Sequence, residues 1–227
     1  MNTPRATLIF DLDGTLVDSV PDLANALDRL MVEEGLPKIG PKKARGLIGH
    51  GIRAFIRAAF AFHGMSVNEA REGALVKRFK AIYAEALAEE TTLYPDVREV
   101  LAALHATGHR LGVCTNKDEV FARAILTRLR LDSFFGVVAG PDTFGFTKPD
   151  PRHLTQTAKA IGAGGTVAFI GDSDVDAQTA IAASIPVVIL RHGYCKVPHE
   201  TLGADILIDG FTDLPAAIEA LKTAGKI

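Results

Sequence analysis

From Tyr94 onward, short apolar runs alternate with amphipathic stretches, and this alternation constrains the fold more than any other feature of the chain. It predicts helices over 96–107, 119–131, 151–161, 175–183 and 214–224, and strands over 109–115, 134–138, 167–170, 187–190 and 205–208. Near the N-terminus, the run 6–10 is rich in Leu, Ile and Phe and too short for a helix, so it reads as one more buried strand. Strands that are apolar throughout bury both faces. Strands joined by helices run parallel through right-handed crossovers. The expectation is an α/β fold: a Rossmann-like parallel sheet covered by helices on both faces.

Residues 19–92 break the alternation. Ser19 reads as an N-cap, with Pro21 in the first turn and Asp22 at the capping-box position, opening a helix that stops before Gly35. Leu23, Leu27, Leu30 and Met31 line its apolar face. Turns follow at Gly46 and Gly49-His50-Gly51, then a second amphipathic helix over 52–62. Ser66-Val67-Asn68-Glu69 reads as a capping box opening a third helix that reaches 90. The chain therefore divides into an α/β core of 1–18 and 93–227 and an all-helical insertion of 19–92. Val17-Asp18-Ser19 and Thr92-Leu93-Tyr94 are the natural hinges between them. At 227 residues and 48% hydrophobic, the chain is large enough for both.

Several classes of function are excluded. A net charge of −2 offers no general attraction to nucleic acid or anionic membrane. No apolar run is long enough to span a bilayer, and Met1–Arg5 lacks the shape of a signal peptide. Cys114 and Cys195 form no paired Cys-x-x-Cys pattern, which speaks against a thiolate zinc site and suits a reducing cytoplasm. Gly49-His50-Gly51 lacks the preceding strand of a dinucleotide fingerprint. Nothing in the sequence signals an oligomeric state.

In an open parallel sheet, ligands bind beyond the carboxyl ends of the strands. Three predicted strand ends carry polar groups. The first runs into Asp11-Leu12-Asp13-Gly14, where two carboxylates two residues apart point the same way from extended backbone. At ~4 Å two such anions repel by ~4 kcal/mol at an effective dielectric of ~20, so a cation belongs with them. The second ends in Thr115-Asn116-Lys117, and Thr115 and Asn116 offer hydroxyl, amide and backbone donors suited to phosphate oxygens. The third ends in Gly171-Asp172-Ser173-Asp174-Val175-Asp176. Asp11, the Asp13 carbonyl, Asp172 and Asp176 make an oxygen set suited to Mg2+. Lys148, before Pro149, is expected to balance both the acidic cluster and a phosphoryl group. This inventory suits a small phosphorylated metabolite: Asp11 attacks phosphorus, and Asp13 protonates the leaving oxygen and then activates water.

These four segments, in this order, resemble the motifs of the haloacid dehalogenase superfamily: Asp11 to Ser19, Thr115-Asn116-Lys117, Lys148-Pro149 and Gly171 to Asp176. The insertion is similar to the family's small helical cap. Within the superfamily the chain most resembles phosphoglycolate phosphatases, through Gly46 to Gly51 with Arg57, and through His192-Gly193-Tyr194. The resemblance implies Asp11 as nucleophile, Asp13 as acid and base, Asp172 as metal ligand, and Asp176 as ligand or as an anchor acting through water. Ser184 departs from the pattern, standing where the family usually has Gly. A carboxylate-bearing substrate needs a cation in the cap, and His50, Arg53 and Arg57 are the expected contacts. The rival functions are a phosphomutase of the same superfamily and a catalytically weak metabolite-binding protein.

Overall fold

The computed structural model describes residues 6–163 and 166–227. Met1–Arg5, read above for a signal peptide, lie outside them. Six parallel strands form the central sheet: β1 (Thr7–Phe10), β4 (Arg110–Cys114), β5 (Phe135–Ala139), β6 (Val167–Gly171), β7 (Val187–Leu190) and β8 (Ile206–Ile208), in the order β5-β4-β1-β6-β7-β8. The chain adds β4 and β5 on one side of β1, then returns to add β6, β7 and β8 on the other. The reversal makes β1 the switch point, and the crevice at its carboxyl end is where a ligand belongs.

Period-two alternation sends neighbouring side chains to opposite faces. Leu8 and Phe10 pack on one face with Val97, Leu101, Ile125 and Leu214, while Ile9 packs on the other with Leu154, Phe169 and Ala177. The first face is covered by α5 (Val97–Ala106), α6 (Glu119–Arg128) and α10 (Leu214–Thr223), and the second by α8 (Pro151–Ala160) and α9 (Asp174–Ala182). Cys114 belongs to the second core, where burial pushes its thiol up to about 12, as suits a small apolar filler.

The helical layer consists of α1 (Val20–Glu33), a short α2 (Pro41–Ala44), α3 (Gly51–Phe62) and α4 (Glu69–Glu85), with their own apolar core around Leu27, Leu30, Phe60 and Phe79. Phe121 and Tyr194, from the sheet side, join that core. The two linking segments pair as a small antiparallel ribbon, β2 (Val17–Asp18) against β3 (Thr92–Leu93). Sequence periodicity did not reveal these strands, because two residues carry no period.

Capping differs from expectation at three places. Ser19 makes no side-chain cap bond to α1. Asp22 does not close a capping box; its carboxylate accepts from the Glu90 and Thr91 amides at 2.9 and 2.8 Å and from the Thr91 hydroxyl at 2.5 Å, tying α1 to the second linker. That interaction holds 90–91 away from any helix, and with Ala88 at φ 58 it explains why α4 ends at Glu85. The cap of α4 is Asn68, not Ser66, and its side chain accepts from the Arg71 amide at 2.9 Å. The short α7 (Pro141–Phe144) was also unforeseen.

Candidate active site

Strands β1, β4 and β6 lie side by side, so their carboxyl ends converge. Asp11, Asp172 and Asp176 each place a carboxylate oxygen within 4.8 Å of the others, and all three residues are buried. Glycines make this closeness possible. A Cβ on Gly193 would stand 2.1 Å from Asp172 Oδ2, and one on Gly171 would stand 2.5 Å from Asp176 Cβ. The backbone itself forms the wall around these carboxylates.

Each carboxylate is held differently. Asp176 is saturated: Oδ2 accepts from the Asp172 amide at 3.2 Å, the Ser173 amide at 3.1 Å and the Ser173 hydroxyl at 2.6 Å, and Oδ1 faces Lys148 Nζ at 2.6 Å. Asp172 accepts the Thr15 hydroxyl at 2.7 Å and the Tyr194 amide at 2.6 Å, one on each oxygen. On Asp11, Lys148 Nζ stands 2.8 Å from Oδ1, an ion-pair distance, yet this oxygen accepts no hydrogen bond of good geometry. Burial, opposed by the Lys148 ammonium and reinforced by the Asp176 and Asp13 charges, pushes the Asp11 carboxyl up to about 7. Burial and the same acidic neighbours hold Asp172 well above the usual carboxylate range.

With all three carboxylates ionised, the Lys148 ammonium would leave the cluster two positive charges short of neutrality, and this crowding of like charge adds to burial in holding the Asp11 and Asp172 carboxyls up. A buried Asp11 oxygen without a hydrogen bond lies in the same cluster. Converging oxygen donors and a shortfall of positive charge fit a hard divalent cation. Asp11, Asp172 and the Asp13 carbonyl are the groups that could hold it.

Asp13 stands apart, with its own cation. Its Oδ1 accepts the Ser19 hydroxyl at 2.5 Å and faces Lys117 Nζ at 3.1 Å. Lys117 Nζ also donates to the Tyr83 hydroxyl, on α4, at 3.0 Å. The Asp13 and Tyr83 oxygens outweigh the effect of burial and raise the Lys117 ammonium above its ordinary range, so it stays charged. Lys148 was expected to be the balancing cation; two lysines divide that work, one for each of the first two aspartates. Lys117 was visible in the Thr115-Asn116-Lys117 segment, but sequence offered no sign that its flexible side chain would be buried.

Thr115 lies at the cavity, its hydroxyl oxygen accepting from the Lys117 amide at 3.2 Å and its carbonyl meeting His153 Nε2 at 3.0 Å. The Asn116 amide is occupied: Nδ2 donates to the Lys148 carbonyl at 3.0 Å, and Oδ1 accepts from the Lys148 amide at 2.8 Å. Asn116 thus clamps the loop that carries Lys148. Two of the three expected cap cations are not brought to the cavity: Arg53 and Arg57 are mostly exposed and pair with Glu72 at 3.0 and 3.4 Å. His50 does line the crevice that Asp11, Asp13 and Asp172 share, on its side toward Asp174 and Lys196. Thr15, Ser19, Tyr83 and Tyr194 complete the site; Thr15, Ser19 and Tyr194 lay in segments that carry the resemblance but their contacts were not foreseen, and Tyr83 gave no signal because its partner Lys117 is distant in the chain.

A family model described as haloacid dehalogenase-like hydrolase matches residues 8–190. The chain is 41% identical to a phosphoglycolate phosphatase of Caulobacter vibrioides over 96% of its own length and 93% of the relative's. It is 39% identical to one of Mesorhizobium japonicum, over 84% of each. A crystal structure described as a predicted phosphoglycolate phosphatase from Haemophilus somnus superposes with a TM-score of 0.87 at 30% identity, covering 94% of this chain and 98% of that one.

Proposed function

This chain belongs to the haloacid dehalogenase-like hydrolase family, and we propose that it is a phosphoglycolate phosphatase that works with Mg2+ through an aspartyl-phosphate. The observation that carries the reading is the Asp11 carboxylate. It lies at the cavity, 2.8 Å from the Lys148 ammonium and within an acidic cluster short of positive charge.

Asp11 is the nucleophile. Its oxygen forms a bond to phosphorus as the bond from phosphorus to the alkyl oxygen breaks, and Asp13 gives the leaving oxygen a proton. Water then attacks the phosphorus while Asp13 takes its proton, and the bond from phosphorus to Asp11 breaks to release orthophosphate. Ser19 and Lys117 both hold Asp13 Oδ1, which fixes the orientation of that carboxylate for both transfers. Lys148 and the Thr115 hydroxyl stabilise the charged oxygens of the transferring group. Asp11, Asp172 and the Asp13 carbonyl would hold Mg2+, and Asp176, with donors on both oxygens, anchors Lys148 and the turn after β6. The bound ion supplies charge stabilisation at the phosphoryl oxygens and relieves the repulsion among the aspartates. Residues 19–92 act as a cap that closes on the β2–β3 ribbon and keeps bulk water from the intermediate. Both described cysteines are free, which accords with work in a reducing cytoplasm.

Phosphate release from a panel of phosphomonoesters with Mg2+ tests the reading. The expected result is highest kcat/KM on 2-phosphoglycolate. Conversion of a hexose 1-phosphate to the 6-phosphate without free phosphate would make the protein a mutase. No turnover of any phosphomonoester would make it a binding protein.

A further inference from the structure

Beneath the helical layer lies a cavity of about 60 Å³ that reaches Asp11 and Asp13. At about 10–15 Å³ per water-sized group, it holds on the order of four to six non-hydrogen atoms. Leu23, Ile48, Ile52 and Phe55 make most of its wall apolar. Beyond the reacting groups the buried polar residues of this lining are Asn116, whose amide is already bonded to the Lys148 backbone, and Lys117 and Tyr83.

The hydrogen bonds of these two side chains leave something over. An ammonium has three N–H donors. Lys117 directs one at Asp13 Oδ1, 3.1 Å away, and one at the Tyr83 hydroxyl oxygen, 3.0 Å away. A third remains. Because the Tyr83 oxygen accepts from Lys117, its own O–H is free to donate, and it meets no acceptor among the described residues. Two adjacent donors are thus available in an otherwise apolar chamber, one of them charged. Buried donors of this kind call for an acceptor, and a charged donor calls for an anionic one.

We infer that Lys117 and Tyr83 form the subsite for the carboxylate of a short phosphorylated acid. The inference rests on the proposed phosphatase activity and names the groups that choose its substrate. The phosphoryl group sits at Asp11 and Lys148, and the remaining atoms of a two-carbon acid (one methylene and one carboxylate) match the room available. The subsite is split between units: Lys117 comes from the β4 end of the sheet and Tyr83 from α4. It is complete only when the helical layer lies over the sheet, so a carboxylate favours the closed arrangement. Arg53 and Arg57 are excluded from this role by their outward pairing with Glu72.

The test compares 2-phosphoglycolate with ethyl phosphate, which has a methyl group in place of the carboxylate. Lys117→Met also removes the cation beside Asp13, so rates fall on both substrates, and the readout is the ratio of their kcat/KM values. The wild-type preference for phosphoglycolate should fall by roughly 10- to 100-fold in Lys117→Met. Tyr83→Phe keeps the ring packing and should lower the preference by roughly 3- to 10-fold. A preference that survives both substitutions overturns the subsite and leaves the phosphatase reading standing. A wild-type enzyme that turns over ethyl phosphate but not phosphoglycolate overturns the substrate reading and the subsite together.

Discussion

The floor and the roof of this site are built on opposite principles. The floor, at the ends of β1, β4 and β6, packs three buried carboxylates against Lys148 and fixes them with backbone amides and hydroxyls. The roof, from α1, α3 and α4, offers apolar side chains and a single phenol to the cavity, and turns its arginines outward to Glu72. Charge that must not move is carried by the sheet, where neighbouring strands leave it no freedom. Apolar shape is carried by the helices, where contact has no directional cost. Chemistry and selectivity are thereby separated, and Lys117 with Tyr83 is where they touch.

Substitutions on the two sides should therefore differ sharply. On the floor, Asp11→Asn removes the nucleophile and should lower kcat by ~10⁴-fold or more, measured as phosphate release. A smaller loss would move the nucleophile elsewhere. Gly193→Ala drives a Cβ into Asp172, with contacts of 2.1 to 2.3 Å to its carboxylate atoms. It should weaken the apparent affinity for Mg2+ by roughly 10- to 100-fold, read from activation by added metal, with kcat partly restored at saturation. Unchanged metal dependence would separate Asp172 from the ion. On the roof, Arg53→Ala and Arg57→Ala should change KM for phosphoglycolate by less than about threefold, since neither arginine lines the cavity and each single substitution leaves the buried Glu72 paired with the other. A tenfold rise for phosphoglycolate alone would return substrate recognition to the cap arginines. Outside both regions, Ser184 holds φ 54 on an exposed turn after α9. Ser184→Gly should leave kinetics unchanged and stabilise the fold by about 0.5–1 kcal/mol, measured as a shift in the urea midpoint.

The departure at Ser184 shows how far a sequence pattern reaches. A family preference for glycine points to left-handed backbone. The structure places a serine in that conformation all the same, because Ala180, Val187 and Ile189 around the turn are well packed and hold it there. Asp22 is the opposite case. Its spacing from Ser19 matched a capping box, a local rule, but its carboxylate serves Glu90 and Thr91 across 68 and 69 residues of chain. Local rules read the helix correctly and the purpose of the residue incorrectly. At Asn116 the side-chain amide brackets Lys148, a contact 32 residues away that local rules do not show, while the residue still lines the cavity.

The alternation of apolar runs and helices, together with polar strand ends, was enough to specify a parallel α/β sheet and the family it belongs to. The sheet follows from short-range periodicity, and the family from the resemblance of four motifs that the chain carries in linear order, which the family match bears out. Which cation meets which aspartate was decided only by the tertiary structure. Lys117 and Lys148 are long, flexible side chains whose partners lie on other elements, and an ion pair depends on distance in space. The closed cavity and its two available donors arise the same way, from a helix laid over a sheet end whose chemistry the linear pattern had already announced.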